Sequence, residues 1–414
     1  MNLECVVPIP ADGPKVHPVR GMAMEGSAAG APGAGAGRSG SPGSGTTPTL
    51  AELTTFHVGG EIGTYVEAQT EAEFIDAIRA ADAAEAPLLV LGGGSNILPA
   101  DEPFEGVVVR DMRRGIEGSA DSTCVGALIT APAGQPWDEL VAHTIQEEWM
   151  GIEALSGIPG TVGAAPIQNV GAYGQEVAET LSNIRVYDRL AGRTRLFAMG
   201  ELQLGYRDSL LKRSLRDPEA GGGRIWGPTG RWVVLEVSFQ MRLASLSRPI
   251  AYGELARKLD VELGDRANSR EVREAVLELR RGKGMVLDPA DHDSWSAGSF
   301  FTNPILSDDD AAHLPLDAPR YPVTDHTKIA SIAGAPVVVE GKVKTSAAWL
   351  IQHAGFPKGF ALPGSRAALS SKHVLALTNR GGATGAELRE LRDHIVAGVE
   401  DAFGITLVPE PVIL

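Results

Sequence analysis

The run from Gly151 to Gly174, GIEALSGIPGTVGAAPIQNVGAYG, restricts the possible folds more than any other segment. Six glycines and two prolines interrupt small apolar residues, and Glu153 is the only charge. Glycine and proline both disrupt a helix interior, so the run is a poor helix. It also lacks the polarity of a surface turn. Backbone this bare has two uses. It can pack as a buried strand–turn–strand, or it can bring N–H groups up against something large, anionic and partly apolar, such as a dinucleotide. The residues alone leave both open.

A chain of 414 residues with 43% apolar and 21% charged content predicts two or three soluble domains with a sizeable core. A formal charge of −15 excludes the broad basic surface that nucleic acid requires. Any phosphate must then be met by a few placed cations and by amides. Cys5 and Cys124 are the only cysteines, so neither a disulfide framework nor a metal site is expected, and a cytoplasmic setting is. No apolar run reaches the length of a membrane span, and no secretory leader opens the chain. Residues 1–47 are rich in Gly, Ala, Ser and Pro and predict a disordered tail, with Met22 and Met24 as alternative starts. The G-x-G-x-x-G match at Gly35–Gly40 has no strand before it and no helix after it, so it is rejected as a nucleotide fingerprint.

Order is expected from Thr49. Thr70 caps a helix that places Phe74, Ile75, Ile78 and Ala81 on one face. APLLVLGGGSNIL then runs from a buried strand straight into Gly92, Gly93, Gly94, Ser95 and Asn96, an arrangement in which amides converge on phosphate. Strands follow at GVVVR and ALITAPAGQ, then a helix through Trp137, Leu140, Val141 and Ile145. RDPEAGGGRIWGPTGRW reads as a mobile hairpin tip, and the insertion near 221–230 has no evident function. SREVREAVLELRRGKG is a strong helix with Val272, Val276 and Leu279 in register. Asp308–Asp310 read as a solvated loop, and ITLVPEPVIL as a closing strand that returns to an earlier domain.

TTFHVGG, LGGGSN, SGIPGTVGAAPIQNVGAYG, GYRDS, AGSFFTNP and the terminal PE occur in this order. Together they resemble the UDP-N-acetylenolpyruvoylglucosamine reductases, from about Thr49 to Leu414. The resemblance implies an α+β fold: a two-subdomain FAD-binding unit of the vanillyl-alcohol-oxidase/PCMH type with a third, α+β substrate-binding domain. The implied boundaries are 48–114 joined by the C-terminal strand 405–414, 115–248, and 249–404. FAD would be held non-covalently by Gly92–Asn96 and by Ile158, Pro159, Gly160 and Gly163, with Asn169 and Gly171 nearby. Some members carry serines where Ala164 and Ala165 stand, so amides must serve there. His57 is read as a packing histidine and not as a covalent flavin anchor.

The implied reaction moves hydride from NADPH through FAD to an enolpyruvyl ether of a UDP-sugar, in peptidoglycan precursor synthesis. It needs a proton for carbon and stabilisation of an enolate-like charge. The resemblance assigns the proton to Ser299, with Arg207 and Glu410 making that weak acid competent. Taken singly, these would be a turn serine, a surface charge and a solvated carboxylate; their joint occurrence in matching motifs favours catalysis. Tyr252, Lys283 and Asn303 match substrate contacts, although the spacing from Lys283 to Ser299 is longer than in some members. Arg280, one turn earlier, is placed toward the flavin. A monomer is expected. The alternative activity is an FAD-dependent oxidase of the same cofactor-binding class, which has no use for a carbon-protonating serine. A second is a non-catalytic nucleotide-sugar binder, which the retention of Ser299, Arg207 and Glu410 disfavours.

Overall fold

The computed structural model describes residues 47–122, 126–324 and 337–414. The readings made of the tail before Thr47, of Gly35–Gly40 and of both cysteines lie outside the described residues.

The first strand, Ile62–Ala68, lies parallel to Phe104–Asp111, which also pairs in parallel with Leu88–Val90. Parallel neighbours need a crossover, and helix Glu71–Ala83 supplies one. It starts at Thr70, whose side chain accepts from the Glu73 amide while Glu73 bonds back to the Thr70 amide. Each half of such a cap satisfies an amide that the helix itself cannot. Phe74, Ile78 and Ala81 are buried against Leu88 and Val109 and against Tyr187, Val233 and Leu235. The helix therefore joins the parallel sheet to the next layer. Burial of Phe74 alone contributes about 1.5–3 kcal/mol.

That next layer is a six-stranded sheet with Trp232–Leu243 at its centre. This strand runs antiparallel to Leu181–Asp188 on one side and to Gly126–Pro132 on the other. Helix Trp137–Gln146 buries Trp137, Leu140, Val141 and Ile145 on it. The Gly151–Gly174 run lies on the same core. Its regular pieces are short 3-10 turns at Glu153–Leu155 and Val162–Ala164 and a two-residue strand, Gly171–Ala172. Its Ile152, Leu155, Val162 and Ala165 are buried there. Glu153 is buried too, accepting from the amides of Gly151 and Arg248 and from Gln175.

Helix Ser269–Gly282 packs Val272, Ala275 and Val276 against Leu255 and Ala256 of helix Gly253–Leu259 and against Ala154 of the glycine run. A further core gathers Phe300, Phe301, Leu350 and Ile351 with Leu388, Leu391 and Ile395 of the last helix, Gly385–Phe403. The chain then returns: Val412 and Ile413 pair in parallel with Ile97 and Leu98.

Two segments differ from expectation. The presumed hairpin tip is a packed corner. Short helices occupy Leu210–Arg213 and Pro218–Gly221, and the buried Trp226 ring has the guanidinium groups of Arg189 and Arg224 4.7 and 3.7 Å from its centre. Glycine density suggested mobility, but one tryptophan with two cation–π partners is enough to fix the segment. Asp308–Asp310 are exposed as expected, yet they begin a helix, Asp308–Ala312, because Ser307 caps it and acidic residues suit a helix N-terminus.

Candidate active site

Strand Leu88–Val90 ends at Gly92, and the five amides from Gly92 to Asn96 donate to no acceptor among the described residues. The amides of Ile158, Gly160 and Thr161 are equally without a protein acceptor. All of these residues line one cavity of about 510 Å³. The two loops are stitched together: Ser95 Oγ donates to Pro159 O at 3.1 Å and Asn96 Nδ2 to Gln168 Oε1 at 2.9 Å. They also touch through backbone, since a Cβ on Gly93 would lie 2.7 Å from the Gly160 Cα. Gly94 holds φ near +65°, and a Cβ there would run into the Leu53 carbonyl. The glycines are thus required for the loops to merge into one amide-lined floor.

The glycine run packs into the core through Ile152, Leu155, Val162 and Ala165, while Ile158, Gly160 and Thr161 line the cavity. Eight acceptor-free amides around one cavity suit an anionic ligand. The cavity falls within the ~300–1,000 Å³ typical of cofactor sites.

Ser299, Arg207 and Glu410 line this same cavity, as do Gly163, Gly171, Tyr252, Arg280 and Lys283. Backbone pairing brings Ser299 and Glu410 together from distant parts of the chain, and an ion contact adds Arg207. The Phe300 amide donates to Leu375 O at 2.7 Å, and the Glu410 amide donates to Phe300 O at 2.8 Å. Ser299 is therefore flanked by the 373–375 segment and by the returning C-terminus. Arg207 sits at φ 54° in the Gly205–Asp208 turn. Its guanidinium donates to the carbonyls of Asn169 and Gly171, and its Nε lies 3.5 Å from Glu410 Oε1.

Helix Ser269–Gly282 carries Arg280 in its last turn and is capped at its C-terminus by Lys283. Arg280 is buried, its Nε has no partner, and one terminal nitrogen donates to Met285 O at 2.8 Å. Burial lowers the guanidinium to about 10, with Tyr173 and Asp138 opposing the shift. Lys283 Nζ pairs with Glu254 at 2.5 Å and lies 5.3 Å from the centre of the Tyr173 ring, which meets Tyr252 edge-on. Desolvation raises the Tyr173 phenol to about 12.

Two expected contact residues point elsewhere. Asn169 is buried outside the lining, with its amide nitrogen on Glu176 and Gly205 O and its oxygen on the Ala178 amide. Asn303 also lies off the cavity, its Oδ1 taken by the Ala347 amide. Both side chains shape loops that carry lining residues. His57 packs against Trp295 with tilted rings 4.3 Å apart and does not line the cavity. Among lining residues that the motifs did not give, His373 Nε2 stands 3.3 Å from Ser299 Oγ. Pro228, Thr229 and Gly230 form another part of the wall, where Thr229 Oγ1 accepts from the Val90 amide at 2.7 Å. A polar run, SSKH, ahead of the apolar VLALT was the only sequence signal for His373.

Comparison with known proteins gives the family and the fold. Residues 63–195 match the model of an FAD binding domain, and residues 288–414 match the C-terminal domain of UDP-N-acetylenolpyruvoylglucosamine reductase. The UDP-N-acetylenolpyruvoylglucosamine reductase of Cutibacterium acnes is 48% identical over 363 residues, covering 87% of this chain and 88% of its own. That of Saccharopolyspora erythraea is 47% identical, covering 89% and 96%. The crystal structure of the Thermus caldophilus reductase superimposes with a TM-score of 0.53 at 22% identity, over 88% of this chain and 97% of that one, which supports the α+β fold. With relatives this similar along nearly the whole described chain, the protein belongs to the UDP-N-acetylenolpyruvoylglucosamine reductase family.

Proposed function

We propose that this chain reduces the enolpyruvyl ether of UDP-N-acetylglucosamine enolpyruvate to UDP-N-acetylmuramate, the step that supplies a peptidoglycan precursor, in the cytoplasm and as a monomer. One observation carries the reading: both amide-lined loops and the triad Ser299, Arg207 and Glu410 border a single cavity. The site fits FAD, because eight acceptor-free amides suit its diphosphate and the apolar Ile158, Ala164 and Ala165 suit its ring system. Bound without a covalent link, FAD would supply hydride chemistry between NADPH and the enolpyruvyl carbon.

The chain's own residues do the rest. Ser299 donates its hydroxyl proton to the carbon beside the carboxylate. Arg207, held by two carbonyls and Glu410, presents positive charge toward the enolate-like oxygens. Glu410 keeps that guanidinium in place. Lys283 and Tyr252 meet the UDP-sugar, Lys283 exchanging Glu254 for a phosphate. Asn169 and Asn303 act one layer back, as their hydrogen bonds suggest. Under the proposed division into 48–114 with 405–414, 115–248 and 249–404, all three units contribute lining residues, among them Gly93 and Glu410, Gly160 and Arg207, and Lys283 and Ser299.

The test is an absorption spectrum of the purified protein followed by anaerobic stopped-flow. A bound-flavin band, bleached by NADPH and restored by the enolpyruvyl substrate, is expected. Ser299→Ala is expected to leave bleaching intact and slow restoration by about 10²-fold or more. Colourless protein would sink the reading, and equal damage to both half-reactions would remove Ser299 from proton transfer.

A further inference from the structure

Ser299 as a proton donor to carbon poses a difficulty, because the transfer leaves an alkoxide in a partly closed cavity. Something must hold that charge, and something must keep the hydroxyl proton aimed at the substrate beforehand. The neighbour of its oxygen is His373 Nε2, at 3.3 Å.

The segment carrying His373 is fixed from several sides. Ser370 Oγ accepts from the amides of Lys372 and His373, at 3.0 and 3.2 Å. Asp293, buried six residues before Ser299, accepts from the Ser371 amide at 2.9 Å and from Ser371 Oγ at 2.6 Å, and pairs with Arg380 at 2.5 Å. The Phe300–Leu375 backbone bond closes the arrangement. The segments that carry the imidazole and the hydroxyl are thus tied to each other by bonds on either side of the pair.

We infer that His373 is a positioning residue for the Ser299 proton: its Nε2–H donates to Oγ, leaving the hydroxyl hydrogen directed into the cavity. The inference rests on the reading of Ser299 as the donor. A neutral imidazole carries one N–H and one lone pair. With the lone pair toward Oγ, the ring would draw the proton away from the substrate, as a base does for a serine nucleophile. With N–H toward Oγ, the ring does the opposite and also stabilises the charge that develops. In the step, the Ser299 O–H bond breaks and a C–H bond forms at the carbon bearing the carboxylate, whose electron pair takes the proton. The alkoxide accepts the Nε2–H hydrogen bond and recovers its proton from water before the next turnover. Burial pushes the ring down to about 4, and the cations Lys283, Lys358 and Arg280 push the same way against Glu254. The ring therefore stays neutral through the working range.

The experiment compares both half-reactions of the FAD-loaded enzyme in His373→Phe, His373→Gln, Ser299→Ala and the Ser299→Ala/His373→Phe double variant, using NADPH and the enolpyruvyl UDP-sugar. Flavin content and melting temperature confirm that each is folded. His373→Phe is expected to slow flavin reoxidation by about 10²-fold while changing reduction less than about twofold. His373→Gln, which keeps an N–H donor, is expected to regain at least about tenfold of that loss. The double variant is expected to match Ser299→Ala alone. Wild-type reoxidation in His373→Phe, equal loss in both half-reactions, no recovery with glutamine, or multiplied losses in the double variant would each overturn the inference while leaving the Ser299 reading intact. Wild-type reoxidation in Ser299→Ala would overturn that reading and this inference with it.

Discussion

Arg207 is committed to three partners at once: the Asn169 carbonyl at 3.2 Å, the Gly171 carbonyl and Glu410 at 3.5 Å. A planar fork distributes donors to all three, whereas an ammonium is a single point charge. Arg207→Lys is therefore expected to slow reoxidation by the enolpyruvyl substrate by about 10²-fold, with NADPH reduction little changed. Stopped-flow traces of the two half-reactions check this, and wild-type reoxidation would exclude the residue from charge stabilisation. Arg207 was legible because it sits inside a local motif, GYRDS. His373 was not, because its meeting with Ser299 depends on backbone bonds between segments 74 residues apart in sequence. Asn303 shows the converse: its motif was legible, but its Oδ1 is taken by the Ala347 amide, a contact that no local pattern encodes.

At the scale of elements, the merging of two loops is the demanding feature. Gly93→Ala places a methyl 2.7 Å from the Gly160 Cα, and backbone on backbone cannot yield as a flexible side chain would. The loops must part, so the variant is expected to lose flavin on dialysis that the wild type retains, read as the ratio of visible to protein absorbance. Asp293 ties the segment before Ser299 to the segment bearing His373. Burial would raise its carboxyl, but hydrogen bonds from Ser371 and the nearby Arg380 outweigh that and leave it below its ordinary value. A depressed carboxyl stabilises the fold above its unfolded pKa of about 3.9 and loses that contribution as pH falls through the folded value. Asp293→Asn is thus expected to cost about 1–3 kcal/mol at pH 7, with the gap to wild type shrinking below about pH 4, as urea unfolding at several pH values would record. Elements with strong periodicity were legible, as with Phe74, Ile78 and Ala81 or Trp137, Leu140 and Ile145. The corner around Trp226 was misread, because glycine content signals freedom only when no large side chain anchors the segment.

For the molecule as a whole, a formal charge of −15 conceals a cavity whose wall carries three cations, Arg207, Arg280 and Lys283, against two carboxylates, Asp111 and Glu410, beside eight acceptor-free amides. Net charge argued against a nucleic-acid surface but gave no hint of this local gathering of cations, which arises only when the Ser269–Gly282 helix, the glycine loops and the returning C-terminus meet. The cavity draws its wall from Phe74 to Val412, so filling it bridges segments from nearly the whole described chain. A ligand that binds only the folded form adds RT ln(1 + [L]/Kd), about 2.7 kcal/mol at a hundredfold excess over Kd. Stripping FAD is accordingly expected to lower the melting temperature by several degrees, with full recovery on adding FAD back. Adenosine diphosphate alone, which offers a diphosphate to the same amides, is expected to restore part of the shift in wild type and little in Gly93→Ala. Equal restoration in both proteins would mean that the amides of the merged loops do not hold the diphosphate, and the cofactor would have to be gripped elsewhere along the cavity wall.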